Sequence, residues 1–289
     1  MKYFKILLGL WCVLMPLTSQ SVERSPTQLE MPWYQTLGQD GLTFLKTTHK
    51  LVAQPTQWGW KDWAQVTAIS GTAYFLYQRK EKDDKLFLFE RLNGKPEIDP
   101  NPKTVFEKTY YEIAEFPIST LALGLGATYV GASLFKLNDL HALSFNLIQS
   151  TTIAQVFSVL GSYVLSEERP SEGGKMKYFK PNGHSISGHS AFYASFSGPL
   201  NRTFTQIQPH DTRSTKILKY VGKGFIYGLP ALFAYSRLRH DFSYHYPTSK
   251  PEPHHYAWNV FLGLSLGYGI GEWIAHGALA TAPPVQVTH

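Results

Sequence analysis

Cysteine is almost absent from this chain, and its absence removes several kinds of chemistry. The one cysteine, Cys12, lies in an N-terminal segment that starts with two lysines and continues as an apolar run over residues 6–17. Small polar residues follow, and this order predicts a secretory signal peptide over residues 1–21. The remaining chain then contains no cysteine, which excludes disulfides, thiolate catalysis and zinc–thiolate sites.

A strong excess of one charge is also lacking. The sequence has 27 Lys and Arg residues against 21 Asp and Glu residues, a net charge of +6, and loss of residues 1–21 with their two lysines leaves 25 against 21, or +4. This small excess does not indicate a nucleic-acid partner, whereas it suits an anionic membrane surface or a phosphorylated substrate. Export without cysteine predicts a periplasmic-facing location in the cell envelope, membrane-associated or integral. An uncleaved N-terminal anchor is the alternative to the signal peptide.

Charged residues are missing from several long stretches, and these stretches predict helices. Their lengths and their content of Leu, Ala, Gly and Tyr favour helix over strand. They cover residues 63–77, 116–135, 142–166, 224–236 and 256–271, with a shorter one at 190–200. We therefore expect an all-α helical bundle of five to six core helices within residues 116–280. Residues 22–115, which contain many turn signals, are expected to form lead-in and covering segments, and residues 281–289 a tail.

Two of these segments, 116–135 and 142–166, are long enough to cross the roughly 30 Å hydrocarbon core of a bilayer. Both contain several Ser and Thr residues, and the mean hydropathy of the whole chain, −0.19, is low for a polytopic protein. Three glycines in the first segment suit close helix packing in lipid. Membrane association is therefore expected, and both integral insertion and peripheral attachment stay open.

Three separated fragments carry the residue types of an oxyanion pocket. They are Glu168-Arg169-Pro170, then Ser185 to Ser190 with Ser187-Gly188-His189 at its centre, then Ser236-Arg237 followed by His255 and Asn259. Arginine binds a tetrahedral oxyanion through forked, charge-assisted hydrogen bonds, and a Ser-Gly turn offers a hydroxyl and backbone N–H groups. Histidine can act as a nucleophile or a proton donor near neutral pH. Together the fragments predict phosphoryl transfer.

The order of these fragments resembles the pattern of the type 2 phosphatidic acid phosphatases, a superfamily that also contains bacterial acid phosphatases and vanadium haloperoxidases. That pattern is Lys-x6-Arg-Pro, then Pro-Ser-Gly-His, then Ser-Arg-x5-His-x3-Asp. The matching residues here are Arg169-Pro170, Ser187-Gly188-His189 with Ile186 in place of Pro, and Ser236-Arg237. The resemblance covers roughly residues 116–275. It implies a helical bundle with a phosphate site at one end.

The resemblance also implies a phosphatase that needs neither a metal nor a cofactor. His255 would attack phosphorus to give a phosphohistidine, and His189 would protonate the leaving oxygen. The equatorial oxygens, where the transition-state charge is spread, would be held by Arg169, Arg237, Ser187 and the backbone of Gly188. The implied substrate is a phosphorylated lipid or a small phosphoester.

Two positions of the pattern hold other residues. Ser162 stands where the family has its Lys, which removes one phosphate-binding cation. Asn259 stands where the family has an Asp that orients the nucleophilic imidazole, and Asn accepts a hydrogen bond without bringing a charge. An Asp to Asn change in a serine-protease triad lowers the rate by about 10⁴. A catalytically impaired relative, with a binding or structural role in the envelope, is therefore the alternative function.

The spacing after Arg237 leaves two candidates for the nucleophile. His255 lies 18 positions after Arg237 instead of six, which requires a loop insertion, but the apolar segment 256–271 follows it directly. His245 lies six positions after Arg239, and the sequence His245-Tyr246-Pro247 resembles a form that many family members carry. Because the prolines that follow His245 interrupt a helix, His255 is the preferred nucleophile and His245 the alternative.

Overall fold

The structure is a computed structural model, and it describes residues 33–79, 118–168, 175–181, 183–239 and 255–280. Several sequence predictions fall outside these ranges. They are the signal peptide, the tail at 281–289, the phosphate ligand Arg169 and the alternative nucleophile His245.

Helices dominate the part of the chain that the structure describes. They are α1 (Trp33–Ala53), α2 (Trp60–Arg79), α3 (Ile118–Leu134), α4 (Asn138–Val164), α5 (Gly188–Ser195), α6 (Ser197–Leu200), α7 (Arg213–Arg239) and α8 (Ala257–Ala280). A 3₁₀ turn follows α1 and a π turn follows α6. Within these ranges there is no β-strand, and β pairing is limited to an isolated bridge between Glu167 and Met176. The predicted all-α fold class is confirmed.

Helix α8 lies at the centre of the bundle and packs closely against α5. Three of its glycines, each four residues apart, face backbone carbonyls of the other helix. A Cβ atom added to Gly263, Gly267 or Gly271 would lie 2.5, 2.3 and 2.6 Å from the carbonyl oxygens of Ser187, Ala191 and Ser195, respectively. A side chain at any of these positions would overlap the backbone of α5, so the absence of side chains lets the two helix axes approach closely. We call this row of contacts the glycine ladder.

Apolar side chains from α4, α5 and α8 form the main core. Its buried members are Ile153, Ala154, Ala191, Ile270 and Ile274. Helix α7 crosses the neighbouring face of α8, where its Ala234 packs with Ala257 and Val260. The core therefore spans the four helices whose ends carry the predicted site.

The described part of residues 22–115 is more regular than the predicted lead-in and covering segments. Helix α1 packs Phe44 and Leu51 against the main core. Its Asp40 side chain accepts a hydrogen bond from the Tyr129 hydroxyl at 2.7 Å and lies 3.0 Å from His141 Nε2. Helix α2 reaches α8 in turn, with its Leu76 side chain against the Ala234 cluster. Both helices are thus part of the bundle.

Helix α4 is long and apolar enough to cross a membrane, and half of its most apolar window is buried inside the bundle. Helix α3 is apolar but shorter. Large apolar side chains are nevertheless exposed on the outer faces of α3, α4 and α7, and examples are Leu123, Val159 and Phe225. Exposed apolar surface on adjacent helices is typical of a protein that contacts lipid or another partner.

Candidate functional site

The predicted site residues within the described ranges gather at one end of the bundle. The end of α4, the start of α5, the end of α7 and the start of α8 meet there. The loop 183–187 crosses between them, and Gly183 fits under α4 so closely that a Cβ atom would lie 2.1 Å from the Ser162 carbonyl oxygen. The described site residues therefore come from four helices and one loop at the same end of the bundle.

Ser187 is fully buried and starts helix α5. Its side chain caps the helix by accepting hydrogen bonds from the Ser190 backbone N–H and hydroxyl, the latter at 2.9 Å. Its own N–H donates to the carbonyl of Asn259 at 3.1 Å. Ser187 therefore fixes the first turn of α5 to the first turn of α8. Its hydroxyl is used inside the protein rather than presented at the surface.

The first turn of α5 also holds Gly188 and His189. The Gly188 carbonyl accepts a hydrogen bond from Gln155 Nε2 at 2.7 Å, which anchors this turn to α4. The N–H groups of a first helical turn have no acceptor within the helix and carry partial positive charge. His189 is half-buried at this position. The helix start can thus attract an anion beside an imidazole.

Arg237 faces the same side of α5 from helix α7. The Ser197 hydroxyl donates to the Ile226 carbonyl at 2.9 Å, and the rings of Tyr193 and Phe233 lie 5.2 Å apart. These two contacts show that α7 runs antiparallel to α5 and α6. Burial raises the pKa of Tyr193, and the nearby Arg237 guanidinium opposes that rise. The structure therefore places the Arg237 guanidinium near Tyr193, about one helical turn after His189 on α5.

His255 lies two residues before Ala257, the first residue of helix α8. Its Nδ1 atom is 3.0 Å from the carbonyl oxygen of His184. Because a carbonyl only accepts hydrogen bonds, Nδ1 carries the proton in this contact and the lone pair of the neutral ring is on Nε2. The contact thus selects the tautomer that a nucleophilic Nε2 requires.

Asn259 does not orient His255, and the sequence expectation for it is corrected. Its Oδ1 atom accepts from the Tyr256 N–H at 2.7 Å, and its Nδ2 group donates to Glu167 Oε2 at 2.9 Å and to the Ser185 carbonyl at 2.6 Å. Asn259 is 1% exposed. Its three hydrogen bonds therefore join the start of α8 to Glu167 and Ser185 in the interior of the protein. An Asp at this position would place a second carboxylate against Glu167, which like-charge repulsion disfavours.

Ser162, at the position where the resembled pattern has Lys, likewise makes structural hydrogen bonds. Its hydroxyl accepts from the Ile186 N–H at 3.0 Å and donates to the Ile186 carbonyl at 3.2 Å. Ser158, one turn earlier, donates to the same carbonyl at 3.3 Å. Together with Gln155 these residues form one face of α4 that supports the backbone from Ile186 to Gly188. A Lys at position 162 would lose both contacts.

Other charged side chains near the site lie in the segments that follow helix α4. Lys177 is ion-paired with Glu168, and this contact holds the pKa of the Glu168 carboxyl below its usual value. Glu167 is 2% exposed, and its carbonyl accepts from the His184 N–H at 3.1 Å. Among the described residues, no group of three His, Cys, Asp or Glu side chains is placed to hold a metal ion.

Sequence reasoning missed Glu167 and His184, although both are central to the geometry. Glu167 directly precedes Glu168-Arg169-Pro170, and His184 directly precedes the fragment that begins at Ser185. Each residue therefore lies one position outside the motif fragments. Comparison of the chain with family models, with curated proteins and with solved structures finds no match.

Proposed function

We propose that this chain is a phosphatase of the cell envelope that hydrolyses a phosphomonoester or pyrophosphate of a lipid through a phosphohistidine intermediate. The observation that carries the proposal is the hydrogen bond from His255 Nδ1 to the His184 carbonyl. It prepares Nε2 of His255 as a nucleophile at the end of the bundle where His189 and Arg237 also lie. The resemblance to the type 2 phosphatidic acid phosphatases supplies the reaction class.

In the proposed reaction, Nε2 of His255 forms a bond to phosphorus while the bond from phosphorus to the leaving oxygen breaks. His189 donates a proton to that oxygen and then takes one from the water that cleaves the nitrogen–phosphorus bond. Arg237 and the N–H group of Gly188 stabilise the equatorial oxygens, together with Arg169 as the sequence predicts. The products are the alcohol or phosphate leaving group and inorganic phosphate.

The His184 carbonyl takes over the orienting role that Asp has in the family pattern. A carbonyl dipole fixes the tautomer, but it stabilises the positive charge of the phosphohistidine less than a carboxylate does. We therefore expect turnover slower than that of an enzyme with Asp. Glu167 supports the arrangement through its contacts to His184 and Asn259.

A catalytically impaired protein with a binding or structural role is the second candidate. Two observations favour it: the side chains of Ser162 and Asn259 are engaged in hydrogen bonds within the protein rather than available to a substrate. The helix start and Arg237 would then form an anion-binding site without turnover.

The two candidates are separated by phosphate release from the purified full-length protein. Substrates are phosphatidic acid, phosphatidylglycerol phosphate, an isoprenoid pyrophosphate and soluble phosphoesters, with His189→Ala and His255→Ala prepared in parallel. Turnover that both variants abolish supports the phosphatase. A folded wild-type protein that releases phosphate from none of these substrates would leave the binding or structural role.

A further inference from the structure

Residues 175–181 form a short segment that lies against the end of helix α4. The N–H of Lys177 donates to the Ser166 carbonyl at 2.5 Å, and the N–H of Phe179 donates to the Val164 carbonyl at 3.4 Å. These bonds hold two large aromatic side chains in an exposed position, with Tyr178 63% and Phe179 64% exposed. Exposed aromatic residues side by side are unusual on a surface that meets only water.

The backbone of Phe179 is strained as well. Its φ angle is +53°, in the left-handed region that bulky residues rarely adopt. The ring gains little burial in return: it stays 64% exposed, and among the described residues its aromatic contact is an edge-on approach to the Tyr163 ring at 6.1 Å between centroids. Backbone strain that is not offset by contacts within the protein indicates that the exposed ring contacts a binding partner.

The aromatic pair continues into an apolar stripe on helix α4. Its members are Val156, Val159, Leu160, Tyr163 and Val164, which are 40–66% exposed. Their spacing of three and four residues places them on one helix face. The opposite face carries Gln155, Ser158 and Ser162, which support the candidate site. One helix therefore separates the candidate site from an apolar outer surface.

Basic residues border this surface. Residues 175–181 contain three lysines and no acidic residue. Lys175 and Lys180 are exposed, whereas Lys177 is ion-paired with Glu168. Lysines beside exposed aromatic and aliphatic side chains are the combination that binds the interface of an anionic bilayer, with rings among the headgroups and ammonium groups near lipid phosphates.

We infer that residues 175–181 and the exposed stripe of α4 form a membrane-binding surface that inserts into the headgroup region of a bilayer containing anionic lipid. The isolated β-bridge between Glu167 and Met176 joins this surface to Glu167, which is hydrogen-bonded to Asn259 and to the His184 N–H. Insertion would therefore hold the candidate site at the level of lipid phosphates. The inference concerns binding alone and does not depend on the proposed catalysis.

A fluorescent label at position 178 tests the surface. The full-length protein carries Cys12→Ser and Tyr178→Cys, labelled with an environment-sensitive fluorophore, and is combined with vesicles of phosphatidylcholine alone or mixed with phosphatidylglycerol. A matched variant carries the label at position 212, an exposed polar residue before α7 at the opposite end of the bundle. Quenching by lipids with a spin label near the headgroup reports insertion.

We expect a blue-shifted emission and several-fold stronger lipid quenching at position 178 than at position 212. The effect should be larger with phosphatidylglycerol and should weaken at high salt or with Lys175→Gln and Lys180→Gln together. Equal emission and quenching at the two positions in both vesicles would overturn the inference. Insertion at position 178 without any dependence on lipid charge would overturn its anionic-lipid part. Circular dichroism of each variant verifies that the helices are retained.

Discussion

The Nδ2 group of Asn259 donates a hydrogen bond to the Oε2 atom of Glu167 across 2.9 Å, and both residues are at most 2% exposed. The pair joins the start of helix α8 to the chain after α4, and it depends on one partner being an amide and the other a carboxylate. Asn259, one of the residues that depart from the phosphatase pattern, is thus the amide partner that this protein's buried Glu167 carboxylate requires.

Asn259→Asp, which introduces the Asp of the phosphatase pattern that the sequence resembles, should therefore destabilise the protein instead of activating it. Two buried carboxylates would face each other, and the Ser185 carbonyl would lose its donor, for a loss of about 3 kcal/mol in the free energy of unfolding. The loss should be smaller in acid, where one carboxyl can hold a proton. Adding Glu167→Gln should recover part of it, as a double-mutant cycle by thermal denaturation would reveal. Independent, additive effects of the two substitutions would contradict the direct contact.

Ser162→Ala removes both contacts to the Ile186 backbone and leaves its N–H without that acceptor. We expect the free energy of unfolding to fall by about 1–3 kcal/mol. Ser133→Ala is the matched control, because the Ser133 hydroxyl is buried without a partner in the described structure and its removal should cost little. Denaturant unfolding of both variants measures the difference. Equal losses would refute the supporting role of Ser162.

Gly267→Ala should be strongly destabilising, because its Cβ atom would lie 2.3 Å from the Ala191 carbonyl oxygen. Overpacking of this kind costs about 1–3 kcal/mol or more. Gly269→Ala lies in the same helix with nothing within 4 Å of the added atom, so helix propensity alone should stabilise it by up to about 1 kcal/mol. Thermal melts of the two variants give opposite signs. A tolerated Gly267→Ala would mean that α5 and α8 are not in close contact.

The leaving group of the substrate should reveal the separate roles of the two histidines. An alkyl phosphate needs a proton on its leaving oxygen, so His189→Ala should lower its turnover by about 10²–10⁴. An aryl phosphate with an acidic phenol needs no such proton and should suffer less, with phosphoenzyme still formed. His255→Ala should abolish both reactions and the phosphoenzyme, whereas His276→Ala, exposed near the far end of α8, should not. A phosphoenzyme that survives His255→Ala would direct attention to His245.

Tyr129 should make stability sensitive to alkaline pH. Burial and the hydrogen bond to Asp40 raise the pKa of its phenol above the ordinary value near 10. Folding therefore favours the neutral ring, and this contribution is complete below about pH 10 and is lost as the pH rises toward the folded-state pKa. Tyr129→Phe should be less stable than the wild type at neutral pH, and the gap should narrow as the pH rises above about 10. A gap that stays constant in denaturant titrations across this range would contradict the assignment.

Long uncharged stretches of the sequence were sufficient to predict the helices of the core, because burial of an apolar helix leaves a direct compositional signal. Helix α7 begins at Arg213, eleven residues before the predicted segment at 224, because its first turns contain Lys216 and Lys219, which interrupt the uncharged pattern. Helix α1 was not predicted because Pro55 and polar residues suggested a connecting segment. In the structure Pro55 lies in the 3₁₀ turn that follows α1.

The residues at the site were predictable by type, but their contacts were not. Ser162 and Asn259 were recognised as departures, yet their partners Ile186 and Glu167 lie 24 and 92 positions away, and no local pattern connects them. A backbone carbonyl as the acceptor for His255 leaves no trace in the sequence at all. The four-residue spacing of Gly263, Gly267 and Gly271 in α8 is a sequence pattern that could have predicted close helix packing.

The glycine ladder has a mechanical consequence for the two histidines. Because a Cβ atom at any of its three glycines would overlap a backbone carbonyl oxygen, the ladder holds α5 and α8 at backbone contact over three successive turns. His189 at the start of α5 and His255 just before α8 are therefore carried on two helices joined by this backbone contact, while Arg237 belongs to a different helix. We expect the backbone spacing of the two histidines to be set by the ladder and that of Arg237 to be set separately by the packing of α7.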